Sequence, residues 1–132
     1  MMNTAQVLVW SAILAFVMVI TASYYRNRAW NLEGLRRSMG NRDNPLPPTP
    51  ISGRADRAAM NMLENMVMFT ALAAALHFSD RNTAQAQLGA NIFFWARVAY
   101  FPAYLAGIGP LRSVIWVVGA IGLATMAVAA LW

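Results

Sequence analysis

The chain has 132 residues, enough for one domain, with 59% apolar types and only 11% charged types. A soluble domain carries roughly a quarter charged residues, and here ten of the fifteen charges crowd between positions 26 and 57. That excludes a soluble globule and a disordered chain. It also excludes a nucleic-acid module, because four of the five net positive charges sit in one segment between apolar ones.

The first apolar segment, Ala5 to Tyr25, runs 21 residues without a charge, and about 20 suffice to cross a bilayer core. No positive charge precedes it, and it is longer than a signal core, so it is expected to remain as a span. The loop at 26–51 follows. Its Trp30 to Met39 part mixes Leu32, Leu35 and Met39 with Glu33, Arg36 and Arg37, which predicts a short interfacial helix. Four prolines between 45 and 50 predict an extended stretch, and Ser52 reads as the N-cap of the next helix. A second span covers Asn61 to Ser79, within a helix of roughly 52–79. A third covers Thr83 to Ile108 (helix 83–107, with a kink predicted at Pro102), and Ser113 to Trp132 ends a fourth helix of 111–132. The predicted fold is an all-α membrane protein, a four-transmembrane-helix bundle forming one domain over 1–132. Arginine counts of eight against one place the 26–51 loop in the cytoplasm and both termini outside.

The informative residues are polar ones inside apolar spans. Arg54, Arg57, Asn61 and Glu64 are spaced 3, 4 and 3. At about 100° per residue they fall within roughly 80° of arc and share one helix face. An ionisable group in hydrocarbon costs several kcal/mol unless paired or hydrated, so this face meets another helix, another subunit or a wet cavity. Arg97, Tyr100 and Tyr104 form a similar stripe on the third span. Arg112 and Ser113 open the fourth, where free backbone N–H groups favour an anion. Each feature also has a structural reading: Glu64 pairing with an arginine, Arg97 holding Glu64 or a carbonyl, the tyrosines as belt residues, Arg26 and Arg28 as membrane anchors.

Taken together, excess guanidinium calls for more than one acidic group on a ligand, and Glu64 with Asn61 calls for an ammonium or amide. Arg112 calls for an oxyanion or a thiolate. The chain has no cysteine and a single histidine, His77, so it offers neither a metal site nor a thiol of its own. Any sulfur nucleophile arrives with a ligand. Glutathione, with two carboxylates, one amine and a thiol, fits these demands, although the residues do not single it out.

Arg57-x-x-x-Asn61-x-x-Glu64, Arg97-x-x-Tyr100-x-x-x-Tyr104 and Arg112-Ser113, on successive spans, resemble the signature of the MAPEG family (membrane-associated proteins in eicosanoid and glutathione metabolism). Arg26-Asn-Arg28-Ala-Trp30 resembles the basic end of that family's first helix, and the likeness covers essentially the whole chain. The composition and proline-rich loop look more like its bacterial branch, with a location in the bacterial inner membrane and periplasmic termini. The resemblance implies a homotrimer binding glutathione as co-substrate between subunits. By position, Arg28 (or Arg26), Arg57, Asn61, Glu64, Tyr100 and Tyr104 would hold the peptide. Arg112 would stabilise the thiolate, with Ser113 beside it. The implied activity is a glutathione transferase or peroxidase acting on hydrophobic electrophiles or lipid hydroperoxides. Asn65 and Trp116 depart from some members, so eicosanoid specificity is not carried over. Two other readings stand beside this one: a non-catalytic binder of glutathione or lipid with the same fold, and a small transporter. The transporter lacks the acidic residue such exporters need in the first span.

Overall fold

A computed structural model describes residues Met1 to Trp132, all of them helix or short connection, with no strand. The first helix, α1, spans Thr4–Asn27 and is started by a reciprocal cap. Asn3 accepts from the Gln6 amide at 2.8 Å, and the Gln6 side chain accepts from the Asn3 amide at 3.0 Å. It ends with Arg28 in the left-handed region at φ 54°, the αL stop of many helices. The short helix foreseen in the loop is α2, Leu32–Met39, N-capped by Asn31, which accepts from the Gly34 amide at 2.7 Å. Gly34 packs against the end of α1 so closely that a Cβ there would lie 1.9 Å from the Arg28 carbonyl oxygen. Arg37 ties the two elements by donating to the Asn27 carbonyl at 2.9 Å.

Gly40 to Thr49 has no regular structure. The next helix, α3 (Pro50–Phe78), begins earlier than Ser52 alone suggested. Thr49 is the N-cap, and Ser52 sits three residues on as the returning half of the capping box. Pro50 takes the first helical position, where a missing N–H costs nothing and the ring presets φ. After a turn come α4 (Ala84–Ala106), N-capped by Thr83, and α5 (Gly109–Leu131). The helix α4 runs on through Pro102 to Gly107, which closes it at φ 78°.

Three helices, α1, α3 and α5, are long and apolar enough to cross a membrane. Within their most apolar stretches only 28%, 33% and 28% of residues are buried, so most of the greasy surface points outward as a bilayer would require. The expected fourth span, α4, has the length but not the apolarity. It carries the polar groups that tie the bundle together, and turns them inward. Asn91, buried, donates to the carbonyls of Met2 at 2.7 Å and Gln87 at 2.8 Å, and Arg97 is buried deeper still.

Two buried clusters make the interior. One joins Val7, Phe69, Leu76, Phe93, Leu123 and Met126, with Phe69 and Phe93 stacked at 4.8 Å. The other brings Ala15, Met18 and Ala22 of α1 against Ala55, Ala58, Ala59 and Met62 of α3, and it reaches Tyr100 and Tyr104. Small residues permit close helix approach where hydrocarbon gives no hydrophobic drive. Gly89 of α4 lies close against Gly122 of α5 in the same way. A Cβ on Gly122 would meet the Gly89 carbonyl oxygen at 2.6 Å and the Phe93 nitrogen at 2.7 Å, both of them backbone. Gly122→Ala is therefore expected to force α4 and α5 apart at a cost of about 1–3 kcal/mol, read as a lower unfolding temperature of the detergent-solubilised protein.

Candidate functional site

The face of α3 carrying Arg57, Met60, Asn61 and Glu64 looks across at Tyr100 and Tyr104 of α4 and at Arg112, Ser113, Trp116 and Val117 of α5. Between them lies a cavity of about 500 Å³, open on one side. Its wall is ordered by aromatic and cationic contacts. The rings of Tyr100 and Tyr104 meet edge to face at 5.3 Å. Arg57 donates from Nε to the Tyr104 hydroxyl at 3.3 Å, and the Arg112 guanidinium sits over the Tyr104 ring at 4.6 Å. This cation–π roof leaves the N–H groups of Arg112 free to turn toward an anion.

Glu64 is exposed on the cavity side and makes no ion pair, since the ion pairs of the chain are Arg26–Asp56 and Arg37–Glu33. The reading in which Glu64 glues helices to an arginine does not describe this arrangement. Arg97 does not reach it. Instead, with 1% of its surface exposed, Arg97 donates from Nη1 to Asn61 Oδ1 and from Nη2 to Asn65 Oδ1, each at 3.0 Å. Its guanidinium lies 5.2 Å from the Phe93 ring centre and 5.3 Å from that of Tyr100. Gly119 of α5 makes the room, because a Cβ there would come 3.0 Å from Nη2. Asn65 in turn donates to the Asn61 carbonyl at 2.7 Å. Arg97 thus stands behind the wall and fixes Asn61, a wall residue.

The basic end of α1 divides. Arg26 grips Asp56 of α3 through Nε at 3.1 Å and through a second contact from Nη2. Arg28 forms the α1 stop through its backbone, and its side chain is not part of the cavity wall. At the start of α5 the helix opens at Gly109, two residues before the expected 111. The Arg112 amide already donates to the Ile108 carbonyl at 3.0 Å, and Pro110 has no N–H. The free amides at this end therefore belong to Gly109 and Leu111, and the contribution of Arg112 is its side chain. Ser113 is engaged locally, its hydroxyl donating to the Gly109 carbonyl at 3.1 Å.

Sequence reasoning passed over Met60 and Val117 as wall residues, Asp56 as the partner of Arg26, and the Asn65 contact to Arg97. Asn65 follows Asn61 at i+4 and so continues that stripe, a signal that was available.

A model of the MAPEG family matches residues 4–132, essentially the whole chain. The chain belongs to the MAPEG family. Searches of curated proteins and of solved structures returned no match. Family membership, with three helices able to cross a bilayer, makes it an integral membrane protein of the group related to glutathione and eicosanoid metabolism. In this MAPEG chain the three ordered motifs converge from α3, α4 and α5 on one cavity, with Arg28 outside its wall and Arg97 behind it.

Proposed function

We propose that the chain is a membrane-bound glutathione-dependent transferase or peroxidase acting on hydrophobic electrophiles or lipid hydroperoxides. The observation that carries this reading is the single cavity holding Arg57, Asn61, Glu64, Tyr100, Tyr104 and Arg112 from three helices. In it, Glu64 receives the glutathione ammonium, Arg57 and Asn61 hold carboxylate and amide groups, and the thiol lies under Arg112.

The chemistry required of Arg112 is modest. A free thiol titrates near ~8.5, and the thiolate is the nucleophile. Bringing that to about 6.5 needs roughly 2.7 kcal/mol of preferential stabilisation, within reach of a guanidinium in a site that excludes water. The sulfur lone pair then forms a C–S bond as the electrophile's leaving group departs or its strained ring opens. With a hydroperoxide, the thiolate attacks the terminal oxygen and the O–O bond breaks. The lipid alkoxide takes a proton from solvent to become the alcohol, and the glutathione sulfenic acid condenses with a second glutathione to give the disulfide and water. Ser113 lies beside Arg112 without a proton-transfer partner other than the Gly109 carbonyl, so we assign it a neighbouring role only.

The same reading takes α4 as the fourth crossing helix, its polar groups turned inward, and the assembly as a homotrimer. Arg57 and Glu64 are exposed on a long apolar helix. Charge there is costly against lipid, and a neighbouring copy would cover it. The arginine bias supports a cytoplasmic 26–51 loop with both termini periplasmic, in a bacterial inner membrane.

Glu64→Gln is expected to weaken glutathione binding by about tenfold or more, since a charge-assisted bond to an ammonium is worth about 1.5–3 kcal/mol. Calorimetric titration of glutathione into purified protein checks it. Equal affinity in the variant removes Glu64 from the site. Turnover of a generic electrophile by the wild type separates an enzyme from a binder.

A further inference from the structure

The cavity makes no use of α2, yet that helix is held in one orientation. Counted from Leu32 at about 100° per residue, Gly34 and Arg37 fall at roughly 200° and 140°. Both face α1: Gly34 is buried against the Arg28 carbonyl, and Arg37 donates to the Asn27 carbonyl at 2.9 Å. Leu32, Leu35 and Met39 fall within roughly 60° of arc on the opposite side. All three are exposed, at 63%, 46% and 73%. The grip on α1 therefore turns an apolar stripe outward. Arg36 flanks the stripe beside Leu32 and is exposed. Arg37 is paired with Glu33, whereas Arg28 and Arg36 have no carboxylate partner.

We propose that α2 is a docking helix for anionic phospholipid. Its stripe enters the headgroup boundary of the leaflet, and Arg28 and Arg36 hold acidic headgroup oxygens. Two observations choose this partner. Trp30, just ahead of the Asn31 cap, and Tyr24, in the last turn of α1, are both exposed, and their rings meet at 5.8 Å. Such rings mark the level where hydrocarbon gives way to headgroups, so the stripe begins at that level. The charge beside it is the second. From 28 to 43, once Arg37 and Glu33 cancel, Arg28, Arg36 and Arg42 stand against Asp43 alone. An apolar stripe would enter any bilayer, but the surplus arginines are attracted only to an anionic one. Their apolar stems lie along the stripe while the guanidinium groups reach the phosphates. Because α1 holds α2 in place, the surface is formed before lipid meets it. The proposal stands apart from the glutathione reading.

The chain has no cysteine, so Met39→Cys gives a single attachment point for a nitroxide label. Full-length protein is reconstituted in vesicles of phosphatidylcholine alone and of phosphatidylcholine with phosphatidylglycerol. Electron paramagnetic resonance then measures collisions of the label with oxygen and with a water-soluble nickel chelate. In the anionic vesicles the label at position 39 is expected to meet oxygen and be shielded from nickel. A label placed through Asn44→Cys, in the proline-rich segment, should stay open to nickel. Arg36→Gln is expected to lower the ratio of shielded to open label about fivefold, as loss of one arginine near an anionic surface predicts. Arg36→Lys should retain the ratio. In phosphatidylcholine alone the ratio should fall, and Arg36→Gln should no longer change it. A label at position 39 as open to nickel as the one at 44 overturns the proposal. Equal shielding in both vesicles overturns it too, because the arginines then select nothing. So does spin–spin broadening that vanishes on dilution with unlabelled chain, which would put a second copy on the stripe.

Discussion

Arg112→Ala is expected to lower turnover with a generic electrophile by about 10²–10³, the usual effect of removing one donor that stabilises developing or resident negative charge. Glutathione affinity should fall far less, because in the proposed arrangement Arg57, Asn61 and Glu64, which also line the cavity, would still hold the peptide ends. The split matters. The guanidinium lies 4.6 Å above the Tyr104 ring and, with only two free amides at this helix end, it is the main positive group at the α5 side of the cavity. Without it the thiol should titrate near its free value, and the rate deficit should shrink as pH rises toward ~8.5. A pH–rate profile checks this directly: parallel profiles for variant and wild type would remove Arg112 from thiolate stabilisation. Arg112→Lys should recover part of the rate, since it keeps a point charge but not the planar fork.

Arg97→Ala is expected to destabilise the protein by about 3–5 kcal/mol, combining a large buried void with the loss of both side-chain hydrogen bonds to α3, one of them to the buried Asn65. The side chain is 1% exposed and spans the gap from α4 to Asn61 and Asn65 on α3 while resting against Gly119 on α5. Its positive charge has no carboxylate partner, only amide oxygens and the faces of Phe93 and Tyr100. Arg97→Lys is the sharper probe, because an ammonium is a compact point charge that cannot bridge both asparagines with a rigid fork. It should fold with reduced stability and bind glutathione more weakly, as Asn61 loses its fixed orientation. Thermal unfolding and glutathione titration on the same sample separate the two effects. A Lys variant with wild-type affinity would reduce Arg97 to a packing element.

These residues also show what one-dimensional patterning can and cannot convey. The stripes Arg57–Asn61–Glu64 and Arg97–Tyr100–Tyr104 are legible because a helix returns to the same face every three or four residues, and lipid forbids that face from pointing outward. The interfacial helix was legible from its mixed loop composition. Periodicity says nothing of how far one helix is slid or rotated against the next, and that decides partners. Arg97 therefore faced two open options in the sequence, Glu64 or a carbonyl, and takes a third, two asparagine side chains. In the sequence Arg26 offers a membrane anchor or a ligand contact, and in the fold it holds Asp56, 30 residues on. Helix starts failed for a different reason. Ser52 and Leu111 both look like beginnings, but Pro50 and Gly109-Pro110 permit an earlier first turn. Moving the start of α5 by two residues removed the Arg112 amide from the set available to an anion.

The span count has a related cause. Hydropathy weighs every residue equally, whereas α4 hides Asn91, Arg97, Tyr100 and Tyr104 inside the bundle. The more polar groups a helix supplies to the interior, the lower its mean hydropathy, and α4 accordingly falls short of the apolarity of α1, α3 and α5.

The most direct test of the central claim is the ultraviolet difference spectrum of glutathione mixed with the purified protein. At neutral pH the wild type should develop thiolate absorbance that saturates as glutathione is raised to millimolar levels. The absorbance should be displaced by an S-alkylated glutathione and be lost in Arg112→Ala. A wild-type spectrum with no thiolate band at millimolar glutathione would contradict the account.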